Sequence, residues 1–224
     1  MMTSLFSMFD PTAMFNIPLN WSLMAMSLIF IPLPLWKSNS YTTFSLKLLT
    51  TMLNSEFNSL FTKNMMLKGT TLLPITLFLF IMVSNLTSNF PYTFCNAAHL
   101  SFSLTLSIPI WTSIVLFCWM NITKDMLAHL VPTGTPNLLM PLMVMIELVS
   151  NFIRPMALAV RLSANLIAGH LLMALLGNTF NPQTSFWMLI MMLQIVFLLF
   201  ELMVAMIQSY VFSVLMTLYS SEIT

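Results

Sequence analysis

Apolar runs separated by short polar connections set the frame of this 224-residue chain. Trp21 to Trp36 is the first run, bounded by interfacial tryptophans and carrying Pro32 and Pro34 near its exit. It is short against a hydrocarbon core of about 30 Å and needs its flanks to span. From Tyr41 to Leu67, Leu46, Leu49, Leu53, Phe57, Leu60 and Phe61 recur at helical spacing among Lys47, Glu56, Lys63 and Lys68. That pattern predicts an amphipathic helix on the membrane surface. Thr70 to Phe90 and Ala98 to Met120 read as two further spans, with Pro74, Asn85, His99 and Pro109 as their polar or breaking residues. Leu138 to Gly177 then runs for about 60 Å as a helix, twice what a perpendicular crossing needs. It must tilt, and Pro155 is the place for a bend. Gly177-Asn178 and Asn181-Pro182 turn the chain, and Phe186 to Tyr219 returns as a second overlong apolar helix.

The expected fold is an all-α polytopic membrane protein with about five membrane-crossing helices plus one amphipathic surface helix, the last two long, tilted and paired as a hairpin. It forms a single integral membrane domain over residues 1–224. Residues 1–69 hold the first span and the surface helix, 70–137 two spans, and 138–224 the hairpin with its polar residues.

One stretch breaks the apolar pattern. Glu147, Ser150, Asn151, Arg154, Leu158, Arg161 and Asn165 follow three-, four- and seven-residue spacing and form one stripe on an ideal helix. A charge at bilayer depth costs roughly 2.5–3.5 kcal/mol by insertion scales, so the stripe must face a bundle interior, a water-filled cavity or a partner. His170 lies nine residues beyond Arg161, roughly 180° round the helix and about 13 Å along it. Glu201, Gln208 and Ser209 are embedded in the returning helix. Arg161 keeps its proton at any accessible pH, so it can gate but not relay. Glu147, His170 and Glu201 can titrate, and such groups with water make proton paths. Arg154 stands seven residues from both Glu147 and Arg161 and serves most simply to neutralise Glu147. Asn165 and Gln208 are supporting polar groups, since amides bond across membrane helices. His99 and His129 fall at span ends and read as interfacial, and Glu222 belongs to a solvated terminus.

Composition narrows the classes. With 58% hydrophobic and 6% charged residues, little remains for a soluble domain, and a net charge of +1 offers nucleic acid no basic face. The 23 methionines fit AT-rich codon usage better than a functional surface. Cys95 and Cys118 lie about a bilayer apart along the chain and should neither pair nor hold zinc. No phosphate-binding loop, HExxH or GxSxG sequence occurs, so neither a catalytic site nor a cofactor or metal is expected. The first run lacks a basic lead and has Asp10 before it, so it is not read as a cleaved signal. Lysines 37, 47, 63, 68 and 124 cluster in the connections after the first and third spans, while residues 1–20, 91–97 and 178–185 hold none. This bias places the N-terminus outside and the C-terminus inside. Glu147 then lies near the inner end of its helix, Arg161 near the middle, and His170 and Glu201 towards the outer end.

Pro155-Met-Ala-Leu-Ala-Val-Arg161-Leu-Ser-Ala-Asn165-Leu-Ile-Ala-Gly169-His170 resembles the signature of subunit a (subunit 6) of F-type ATP synthases, mitochondrial type. So do Ala128-His-Leu-Val-Pro-Thr-Gly-Thr-Pro136 and Ile207-Gln208-Ser-Tyr-Val-Phe-Ser-Val-Leu-Met-Thr-Leu-Tyr219. The resemblance implies a proton-translocating stator subunit, not catalytic by itself, facing a ring of c subunits through residues 138–220 and held by other stator and membrane subunits. It implies two offset half-channels separated by Arg161, with Glu147 on the inner side, His170 and Glu201 on the outer, and Asn165, Gln208 and Arg154 in support. It also implies the mitochondrial inner membrane, with the N-terminus in the intermembrane space and the C-terminus in the matrix. Read from the residues alone, a proton-coupled secondary transporter and a structural subunit of a respiratory complex are the alternatives, though no internal repeat of the transporter kind is seen.

Overall fold

The computed structural model describes residues 5–12, 18–22, 25, 28–30, 40–60, 70–90, 93–121, 123–131, 136, 139–179 and 186–222. Among them all regular secondary structure is helical. The α-helices are α1 (Tyr41–Leu60), α2 (Leu72–Ser88), α3 (Leu100–Asn121), α4 (Thr123–His129), α5 (Met140–Thr179) and α6 (Trp187–Glu222). Short 3-10 turns cover Leu5–Phe9, Leu19–Trp21, Leu28–Phe30 and Asn96–Ala98.

Among the described residues three helices, α3, α5 and α6, are long and apolar enough to cross a membrane. The apolar α2 has 17 residues and rises about 25 Å, close to a hydrocarbon core. Most of the expected first span, Trp21 to Trp36, lies outside the described residues, as do residues 61–67 of the expected surface helix. Helix α5 runs unbroken through Pro155. Lacking an N–H, that proline cannot bond the carbonyl of Asn151, and it is buried.

Small hydroxylic residues explain how the helices approach. Ser84, Ser88, Ser209, Ser213 and Thr217 are all buried, and each returns its hydroxyl to a carbonyl three residues earlier on its own helix. Their polar groups are satisfied locally, so α2 and α6 can pack on small side chains without an unpaired donor between them. Asn85, fully buried, ties the pair by donating from Nδ2 to the Ala205 carbonyl at 3.4 Å. The other main seam joins α3 to α5, where Trp111 tilts against Phe152 with ring centroids 5.4 Å apart. Leu158, Leu162 and Leu166 of α5 join Ile81, Phe102, Phe212 and Met216 in the core between these seams.

Helix α1 is amphipathic, as its periodicity predicts. Its stripe of Leu49, Leu53, Phe57 and Leu60 is covered by protein, packing with Ile75, Phe78, Leu79 and Met82 of α2 and Val214 of α6. A second apolar row, Tyr41, Phe44, Leu48 and Met52, is the exposed one. Helical periodicity locates an apolar face but does not say whether lipid or protein covers it. Phe57, fully buried, is the largest plug in this seam. Phe57→Ala is expected to cost about 3–5 kcal/mol there. Limited proteolysis of the assembled protein should then cut within 41–60 while α5 and α6 stay protected. Unchanged resistance of α1 would count against the seam.

Candidate functional site

The polar stripe of α5 exists, and its members have different surroundings. Glu147 and Arg154 are half-buried and face each other, with Nη2 and Oε1 3.9 Å apart. The Arg154 guanidinium also lies over the Tyr219 ring, 5.1 Å from its centroid, which ties the start of α5 to the end of α6. Glu147 therefore takes Arg154 as its partner, in agreement with the simpler of the two sequence readings. Leu158, the apolar member of the stripe, is buried. Arg161 and Asn165, one turn apart, are exposed. Among the described residues no carboxylate comes within ion-pair distance of Arg161.

The face that carries Arg161 is apolar and open. Val160, Ala157, Ala164 and Ala168 of α5 are exposed beside it, and Leu199, Phe200, Met203 and Ile207 of α6 form a matching exposed row. Only 6% of the most apolar window of α6 is buried by the chain itself, so something else must cover this row. The alanines leave backbone within reach of an approaching helix.

Asn165 and Gln208 join the two helices of the hairpin by a hydrogen bond from Nδ2 to Oε1 of 3.1 Å. One turn further along α5, Gly169 faces Glu201. A Cβ placed on Gly169 would lie 2.6 Å from Oε1 of Glu201 and 3.1 Å from its Cδ, so the carboxylate occupies the space a side chain would fill. Moving from 165 to 169 on α5 thus moves the opposite position from 208 back to 201 on α6, as an antiparallel hairpin requires.

Glu201 and His170 line one half-open cavity of about 860 Å³. Oε1 of Glu201 and Nε2 of His170 are buried and have no protein hydrogen-bond partner. Unpartnered buried polar atoms on a cavity wall are where ordered water belongs. Asn89, Cys95 and Gln194 also line the cavity, and at the N-terminal segment the exposed Asp10 and Thr12 form its rim with Asn20. Water, or groups exchanging protons through water, can therefore reach two titratable side chains from one end. Arg161 is not part of this cavity lining.

The expected site residues thus fall into three places. His170 and Glu201 share the cavity, Arg161 with Asn165 lies at the open face, where Asn165 bonds the buried Gln208, and Glu147 with Arg154 stands towards the other end of α5. His99 is half-buried against Trp21 and Phe94, with centroids 5.4 and 5.0 Å away, and does not line the cavity. The side chains of His129, Cys118 and Glu222 lie outside those described. Sequence reading gave no role to Gly169, Asn89 or the rim residues. Gly169 adjoins His170 in a chain with four glycines, which is the signal that marks it.

Comparison with known proteins matches the ATP synthase A chain family model to residues 18–221. The chain is 47% identical over 225 residues to ATP synthase subunit a of Locusta migratoria. It is 48% identical over 225 residues to that of Drosophila melanogaster and 50% over 227 to that of Aedes albopictus. Each of these alignments covers 100% of both chains.

Proposed function

We infer the function of this chain from its family: it belongs to the ATP synthase A chain family, and we propose that it is the proton-translocating stator subunit of the F-type ATP synthase membrane sector. It lies in the mitochondrial inner membrane, with the N-terminus in the intermembrane space and the C-terminus in the matrix, as the lysine bias of its connections favours. It is a component of the complex and catalyses no reaction alone.

The observation that carries the mechanism is the separation of Arg161 from the His170 and Glu201 pair. The titratable pair opens to a cavity, and the permanent cation stands on an open apolar face of the same helix. A proton arriving through the cavity passes by way of His170 and Glu201 to a carboxylate of the c ring moving along that face. The neutral carboxyl can then enter lipid, where a charged one cannot go. After nearly a full turn it gives its proton up towards Glu147, on the inner side. Arg161 attracts the deprotonated carboxylate and, because it cannot release its own proton, blocks direct passage between the two half-channels. Exposed Ala157, Ala164 and Ala168 give the passing ring helix clearance. Asn165 and Gln208 hold the hairpin in register beside the arginine, and Arg154 holds Glu147.

The test is gentle extraction from the native membrane followed by native mass spectrometry of whatever stays bound to this chain. Recovery with many copies of a small hairpin proteolipid and the ATPase head is the expected result. Recovery alone, or with redox subunits only, would overturn the assignment.

A further inference from the structure

The cavity that holds His170 and Glu201 is also lined by the N-terminal segment. Met8, Phe9, Asp10, Thr12 and Asn20 line its rim, and the turn Leu5–Phe9 docks on α5. Asp10 is exposed there and fixed by its neighbours. Its Oδ1 accepts hydrogen bonds from the Thr12 N–H at 3.0 Å and the Thr12 hydroxyl at 2.7 Å, and its carbonyl accepts one from Asn20 Nδ2 at 3.3 Å. The two bonds from Thr12 favour the charged form and hold the Asp10 carboxyl below the usual carboxylate range. A depressed value means the charge is present at neutral pH and is lost only as pH falls through that lowered value.

The other titratable groups on the cavity wall are Cys95, His170 and Glu201. Burial pushes the Cys95 thiol up to about 11, so it carries no charge at neutral pH. Among the described residues, no lysine or arginine lines the cavity. Beyond the wall, His99 stands behind Phe94 and does not reach the rim. Asp10 is therefore a fixed, exposed negative charge on a cavity whose wall also holds two half-buried proton acceptors, His170 and Glu201.

We propose that Asp10 is the proton-collecting carboxylate of this passage: an anion at the mouth that raises the local concentration of hydronium and passes protons to water on the way to His170 and Glu201. The proposal rests on the half-channel reading of the cavity. A unit charge a few ångströms from a wet path concentrates a cation about two- to fourfold at low ionic strength, and salt removes the effect as the Debye length shrinks.

The experiment uses the whole complex in native membranes and follows proton flux from the outer side across a range of outer pH and salt. In Asp10→Asn, flux should fall about two- to fourfold at low salt and alkaline outer pH, where hydronium is scarce, and rejoin the unsubstituted protein at high salt. Asp10→Glu should restore it. Glu201→Gln is the control on the half-channel reading and should lose flux at every salt concentration. Flux in Asp10→Asn equal to the unsubstituted protein at all pH and salt, with Glu201→Gln inactive, overturns the collecting role and leaves the half-channel standing. Full flux in Glu201→Gln overturns both. Should Asp10→Asn assemble poorly, Asp10→Cys is assembled and then labelled with anionic or cationic thiosulfonates. Equal flux with either label, after correction for the unsubstituted chain treated alike, also overturns the proposal.

Discussion

In Arg161→Ala, ATP-linked proton pumping is expected to fall by at least about a hundredfold, while passive proton leak through the assembled complex persists or rises. The fall corresponds to only about 2.7 kcal/mol, comparable to the cost of holding one unneeded cation at bilayer depth. Among the described residues Arg161 has no carboxylate partner, which suits the proposed pairing with a carboxylate of the c ring. On the proposed mechanism, removing the guanidinium would leave a ring carboxylate with nothing to hold it in its charged state and nothing to bar water from joining the two half-channels. Each proton that slips through forfeits roughly 2.3 kcal/mol per 100 mV of membrane potential. Arg161→Lys is expected to keep less than about a tenth of the coupled rate, because an ammonium is a compact charge that can deprotonate and lacks the planar fork of donors. Dye-monitored acidification of inverted membrane vesicles reads both variants. Coupled pumping within twofold of the unsubstituted protein in Arg161→Ala would falsify the gate.

That prediction was accessible from the sequence because charge in an apolar helix is costly enough to be conspicuous on its own. The hairpin was equally legible. Apolar runs twice the length of a crossing, separated by Gly177-Asn178 and Asn181-Pro182, have few other solutions, and the antiparallel pairing of Asn165 with Gln208 follows the expected order. The core stripe of α1 also had the predicted period, although its cover turned out to be α2 and α6. What could not be read were contacts between residues far apart in the chain. Tyr210 donates to Glu56 at 3.3 Å across 154 positions, and Asn85 reaches Ala205 across 120. Local periodicity fixes which side of a helix is polar, but the partner depends on how the helices cross. The same limit hid the N-terminal segment. Asp10, Thr12 and Asn20 look like turn residues in a polar lead, and only the docking of that lead on α5 makes them the rim of a cavity.

Gly169→Ala separates packing from chemistry in the most economical way. The new Cβ would stand 2.6 Å from Oε1 of Glu201 and 3.1 Å from its Cδ, too close for the carboxylate to stay where it is. The obstructing atoms are the far end of a flexible side chain beside an open cavity, so the helices need not separate. Alanine also suits a helix interior better than glycine, by about 0.8–1.0 kcal/mol. Assembly is therefore expected to be unchanged or slightly improved. Proton flux is expected to fall at least about tenfold, since displacing a reacting group by 1 Å can cost about a hundredfold. Blue-native gels give the amount of assembled complex, and flux per complex gives the chemistry. If Gly169 serves only to let α5 and α6 approach, the signs reverse: less complex, with normal flux in what remains. A second substitution makes the distinction sharper. Glu201→Asp shortens the side chain by one methylene, and in the Gly169→Ala background it should recover part of the lost flux by drawing the carboxylate away from the new methyl group. In the glycine background the same change has no clash to relieve, and it should lower flux by withdrawing the carboxylate from its place on the cavity wall. Opposite signs of one substitution in two backgrounds are the mark of a shared volume. A purely structural glycine has no means of producing them.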